Sequence, residues 1–171
     1  MIGYTEVIQV MGAMIIFSMI MLNANQMIHR NTILQIDGEL EQEVISLGQE
    51  IIEEARSKSF DQVTVNTTAP PTLIPEGFTP AGQLGADAGE NTRYDFNDFD
   101  DYDGWEQVVT TAHGEFSINV DVFYVDEVNF ERINTQSTFK KIEVTVISEF
   151  LRSGDEPRTY QLEFIRNYYA D

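Results

Sequence analysis

Cysteine is absent from the chain, which removes disulfides, thiolate metal ligands and cysteine nucleophiles as sources of stability or chemistry. Proline is missing upstream of Pro70, so nothing in that stretch forces a helix to stop. Charge is missing from Val7 to His29, a run that suits lipid or the interior of a helix bundle better than water. Basic residues are scarce: ten Lys and Arg stand against 29 Asp and Glu, for a net charge of −19. Residues 1–30 hold only Glu6 and Arg30, which cancel, so the imbalance lies wholly in residues 31–171. A surface of that sign repels nucleic acid and anionic lipid headgroups, and nucleic acid is not an expected partner. His29 and His113 are the only histidines. No serine, histidine and carboxylate set can be assembled around them and no phosphate-binding glycine loop is present, so no catalytic residue is assigned and no enzyme is expected.

The 171 residues suit one domain and an accessory segment. From Val7 to Leu22 only Gln9 and Ser18 are polar, and the charge-free stretch to His29 spans about 34 Å as a helix, enough for a bilayer core. A cleavable signal peptide would need a basic start and a shorter apolar run, whereas this start is acidic at Glu6. Beyond Asn25, the residues Met27, Leu34, Leu40, Val44, Leu47, Ile51 and Ala55 recur mostly at three- and four-residue steps, one amphipathic stripe without a linker. A continuous helix from Ile2 to Lys58, about 85 Å long, is predicted. Gly12, Gly38 and Gly48 are soft points in it, each costing about 1 kcal/mol against alanine. The division is therefore 1–28 as an apolar half, 29–59 as an amphipathic half, and 60–171 as an acidic β-domain with a loop over 66–105.

Four methionines, at 11, 14, 19 and 21, with Gly12 and Ser18 allow close packing between neighbouring copies of the apolar half. Met11, Met14, Ile15, Phe17, Met19 and Leu22 are the candidate assembly contacts, with Glu6 as the charged one. A carboxylate beside an apolar span is costly unless paired. Glu6 either complements the positive end of the helix dipole or pairs with the α-amino group of a neighbouring subunit.

The C-terminal two-thirds reads as strands behind a loop. Thr67, Thr68, Pro70, Pro71, Pro75 and Pro80 give the segment 66–91 loop composition, and Asn66-Thr67-Thr68 fits a glycosylation acceptor. Gly114–Asp126 alternates Phe116, Ile118, Val120, Val122 and Tyr124 with polar neighbours; Phe139–Leu151 does so with Ile142, Val144, Val146 and Phe150. Arg158–Tyr169 follows the turn Ser153-Gly154-Asp155-Glu156-Pro157, and short strands are expected near Gln62–Val65 and Glu106–Thr111. The fold class is α+β, a long helix on an antiparallel meander, with Leu40, Val44, Leu47, Ile51 and Ala55 as the helix-to-sheet contacts. Asp95, Asn97, Asp98, Asp100, Asp101 and Asp103, closed by Gly104, form an acidic run. It is read as a solvated turn, with Asp98, Asp100, Asp101 and Asp103 as a candidate calcium set, although the spacing is not that of an EF-hand. No other cofactor is expected.

A charge-free helix entered by one glutamate and continuing into an amphipathic half and a β-domain resembles type IV pilins and the pseudopilins of type II secretion. Glu54–Asp61 is similar to the helix exit of minor pilins, and Asp100-Asp101-Tyr102-Asp103-Gly104 to an acidic turn of such prepilins. With Met1 removed, Glu6 takes the family's fifth position, where the glutamate offsets the N-terminal charge of an adjacent subunit. The resemblance implies a structural subunit held in the inner membrane before assembly, then polymerised with copies of itself by pilus or secretion machinery into a cell-surface filament. It also implies a calcium-binding acidic loop in some pseudopilin relatives. A short pseudopilin filament and a single-pass anchored sensor or binding module are the alternatives.

Overall fold

The computed structural model describes residues 3–65, 73–153 and 156–170. Helix α1 runs without interruption over Tyr4–Ser57, followed by strands β1 (Glu106–Thr111), β2 (Gly114–Tyr124), β3 (Phe139–Ser153) and β4 (Glu156–Asn167). The strands form one antiparallel sheet in the order β1-β2-β3-β4, a meander. The fold class is thus α+β as read from the sequence. By contacts the chain forms two compact units, Met1–Glu41 and Gln42–Asp171. The acceptor triplet at Asn66 and the centre of the β3–β4 turn, Gly154 and Asp155, fall outside the described residues.

Within the second unit the amphipathic stripe does its work. Val44, Ile51, Ile52 and Ala55 are buried and Leu47 is half-buried. Gly48 brings the helix backbone close to β4: a Cβ there would lie 2.9 Å from Leu162 Cδ1. A position that weakens the isolated helix is used for close approach to the sheet. Leu40 is also buried.

Inward side chains follow the two-residue period of each strand. Phe116, Ile118, Val120, Val122 and Tyr124 of β2 are buried, as are Ile142, Val144 and Val146 of β3. Direct cross-strand pairs Ile118↔Val146, Val120↔Val144 and Val122↔Ile142 make the centre of the core. The alternation extended to Phe150 does not hold, because the β3–β4 register shifts between Ile147 and Arg152. That irregularity leaves Phe150 exposed and turns Leu151 inward, while Ser148 keeps the inward phase of Val146. The strand expected near Gln62–Val65 is instead a 3₁₀ turn over Gln62–Thr64, because Asp61 accepts from the Val63 N–H and forms a capping box with Thr64.

The long loop is packed rather than draped over the surface. Phe78, Phe96, Phe99 and Tyr102 are all buried. Phe60, Phe78 and Tyr124 make a second apolar cluster, with Ile74, Leu84, Ile133 and Tyr168 around it.

Candidate functional site

Two regions carry the functional features named above, and each is described within its own unit. In the first, every described residue from Gly3 to Ile36 is exposed except Gly12, which is half-buried. The exposed set includes Met11, Met14, Ile15, Phe17, Met19 and Leu22, with Met14 at 65% and Phe17 at 63%. Glu6 lies in the first turn of α1, where its Oε2 accepts the Gly3 N–H at 3.1 Å. This is the helix-start arrangement, in which a carboxylate answers the free N–H groups and the dipole. The helix is long and apolar enough to cross a membrane.

The second region is the helix exit, where chain segments far apart in sequence converge on buried charges. In register, Lys140 stands opposite Tyr124 on one side and Arg166 on the other, in the same inward row as Ile142 and Val144. Lys140 is fully buried. Its Nζ donates to Asp61 Oδ2 at 2.7 Å, to the Phe60 carbonyl at 2.9 Å, and to Asp100 Oδ1. It also sits 4.6 Å from the Phe60 ring centroid and 5.2 Å from that of Tyr124. Asp61, equally buried, accepts in addition from Thr79 N at 3.0 Å and Tyr124 Oη at 3.2 Å. Arg166 donates to the Lys58 and Ser59 carbonyls at 2.8 and 3.1 Å, placing a cation against the carbonyls just past the helix C-terminus. The Phe99 N–H donates back to the Ser59 carbonyl at 2.9 Å and the Ser59 N–H to the Asn97 carbonyl at 3.2 Å. Helix exit, acidic turn and sheet are thereby joined through one polar core.

The acidic run is therefore not a solvated turn: Asp98, Asp100 and Asp101 are buried and Asp103 half-buried. Burial raises the Asp100 carboxyl, against the nearby Lys140 charge. Burial, joined by the charges of Asp100 and Asp101, pushes Asp98 up to about 9. Burial also raises Asp103, whose Oδ1 accepts the Val122 N–H at 2.8 Å. Of the four candidate calcium ligands, Asp100 thus faces Lys140 and Asp103 faces β2, while Asp98 and Asp101 face each other across their own turn. Asp98 Oδ1 accepts the Asp100 and Asp101 N–H groups, and Asp101 Oδ2 accepts those of Asn97 and Asp98.

A second clamp, also missed in the sequence, closes the loop on the helix. Arg93 donates through Nε to Glu54 Oε2 at 2.8 Å and through Nη2 to Glu50 at 2.8 Å, while Tyr102 Oη donates to Glu54 Oε1 at 2.8 Å. Burial would raise the Glu54 carboxyl, but the hydrogen bonds from Arg93 and Tyr102 and the Arg93 charge outweigh it and hold it below its ordinary 4.5. A carboxylate depressed by folding stabilises the fold above its unfolded pKa, and that contribution is lost as pH falls through the folded value. Arg93→Ala is accordingly expected to cost about 1–2 kcal/mol at pH 7, after allowing for partial exposure of the pair. Urea titrations repeated at falling pH check the cause, since the gap between variant and parent should narrow as the Glu54 carboxylate takes up a proton.

A long apolar N-terminal helix whose C-terminal part packs on a four-strand antiparallel sheet is a pilin-like architecture. No protein-family model matches the chain, and no curated protein or solved structure matches it.

Proposed function

We propose that this chain is a structural subunit of a type IV pilus-like filament, held in a membrane by its apolar helical half and polymerised by bundling those halves. The observation that carries the reading is a contrast along one continuous helix. Its amphipathic part buries Val44, Ile51 and Ala55 within its own domain, while the apolar part from Val7 to Leu22 buries none of its large side chains. Apolar area of that extent favours leaving water, and either lipid or copies of itself can receive it. Lipid tails and packed neighbours are similarly apolar, so van der Waals fit and polar pairing decide between them. Methionine-rich and small-residue packing around Gly12 and Ser18 supports the bundle. The bundle would place the acidic β-domains outside, facing water.

Glu6 is the residue on which the assembly step is tested. In a bundle its carboxylate pairs with the α-amino group of an adjacent subunit; in lipid it needs only the helix start. Glu6→Ala should leave membrane insertion unchanged and lower the protein in sheared filament fractions by about tenfold or more, a loss on the scale of one desolvated charge pair. Membrane flotation and sedimentation of sheared material measure the two separately. Normal filament yield from the variant removes the pairing. A parent chain that stays monomeric in membranes under all conditions points to an anchored sensor or binding module instead.

A further inference from the structure

The loop ahead of β1 gathers acidic side chains that make no ion pair with Lys140, whose partners are Asp61 and Asp100. One carboxylate oxygen from each of Asp87, Asp98 and Asp101 lies within 4.8 Å of the other two. Two oxygens bound to one calcium ion at about 2.3–2.6 Å can stand no more than about 5 Å apart, so the three are close enough to share an ion. Proximity of acids alone assigns nothing, since exposed carboxylates often cluster. Here a second feature is independent of it: Asp98 is only 1% exposed, and its Oδ2 meets no donor. The buried Oδ1 of the adjacent Asn97 likewise meets none. Buried acceptors without donors are rare and destabilising, and two side by side call for a proton, a water or a cation between them.

Lys140 is the protein cation whose charge is felt at Asp98, and it is paired directly with Asp61 and Asp100 instead. Among the described residues, no ion pair reaches Asp87, Glu90, Asp98 or Asp101. Glu90 accepts from Asn97 Nδ2 and lies against the Asp101 carboxyl, a contact between two acids that a shared cation would relieve. We infer that Asp87, Asp98 and Asp101 bind a calcium ion, with Glu90 and Asn97 supplying further oxygens. Calcium suits such a set because it takes six to eight oxygens in irregular geometry, whereas magnesium demands a near-octahedral shell and keeps several waters. Asp87 is the exposed member and gives the ion its way in. The set shares Asp98 and Asp101 with the one expected from the sequence, but reaches back to Asp87 instead of on to Asp100 and Asp103.

The ion would tie the loop at Asp87 to the turn at Asp98 and Asp101. That turn is already fixed to the helix exit, through Phe99 N–H to Ser59 O and a bridge between Ser59 and Asp98. Calcium binding would therefore stabilise the packed loop against the helix exit and be read as stability of the whole β-domain.

The test uses the full chain in detergent, stripped with EDTA, titrated calorimetrically with calcium chloride and melted with and without it. Expected are one equivalent bound and a Tm higher by about 5 °C or more in millimolar calcium. Asp98→Asn and Asp87→Asn should each weaken binding at least about tenfold. Asp87→Asn should do so without lowering the calcium-free Tm, which separates lost ligation from lost folding. Asp95→Asn should keep the parent affinity, because Asp95 accepts from Asn91 and Thr92 outside the set. The inference is overturned if no saturable binding appears, if magnesium at equal concentration reproduces the Tm gain, or if both ligand variants bind calcium as the parent does.

Discussion

Lys140→Met is expected to lower the stability of the β-domain by about 3–5 kcal/mol, the range for removing one partner from a buried charge cluster. On the scale of a domain this size, the Tm falls by roughly 10–20 °C. Methionine keeps the length and the apolar stem, so the change isolates the ammonium group. What the ammonium leaves behind is the reason for the size of the effect: Asp61 is fully buried and Asp100 nearly so, and neither can reach water. The Phe60 carbonyl loses its lysine donor as well. Asp61 retains hydrogen bonds from Val63, Thr79 and Tyr124, so its carboxylate stays partly compensated. Asp100 keeps only a hydrogen bond with the Asp98 side chain and is the less compensated of the two. Adding Asp100→Asn to the methionine variant should thus recover part of the loss, about 1–2 kcal/mol. Chemical denaturation followed by far-UV circular dichroism measures both. A methionine variant within about 1 kcal/mol of the parent would mean that the cluster contributes nothing beyond an apolar replacement.

The same residue shows where reading the chain stops short. The helix was legible because the charge-free run and the stripe at Val44, Leu47, Ile51 and Ala55 are one-dimensional patterns, and the meander because β2 and β3 alternate cleanly. Counting that alternation two residues backward from Ile142 puts Lys140 on the inward face, and a lysine there demands carboxylates. Which ones answer could not be read, since Asp61 and Asp100 lie 79 and 40 residues away. Phe150 went wrong for the opposite reason: the alternation was carried through a register shift that no residue type announces. In the segment 66–91, loop composition gives no sign that Phe78 is buried, and the acidic run beyond it gives none that Phe96, Phe99 and Tyr102 are. Aromatics decide burial there more than prolines and glycines do. The acidic run misled similarly, because a row of aspartates looks solvated until its backbone and lysine donors are known.

Removing residues 1–29 should abolish membrane association while changing the Tm of the remaining chain by no more than about 2 °C. The two halves of this outcome rest on different residues. Stability is set by side chains that become buried, and from Gly3 to Ile36 no large apolar side chain does. Deleting exposed groups away from the core typically changes stability by about 0.5 kcal/mol or less, which is a degree or two. Leu40, Val44, Ile51 and Ala55 all remain in the shortened chain. Partition into lipid depends on the deleted part alone: Leu, Ile, Phe and Val each favour a membrane helix by about 0.3–0.6 kcal/mol, and the run from Val7 to Leu22 carries no charge against them. What remains carries a net charge of −18, since the deletion takes Glu6 from the −19 of the full chain and leaves Arg30 behind. An acidic domain of that kind has no attraction to anionic headgroups. Flotation of both chains on liposomes and thermal melts of both decide the matter. A fall in Tm of about 5 °C or more would show that the apolar half supports the β-domain, and a shortened chain that still floats with lipid would place the membrane-binding surface elsewhere.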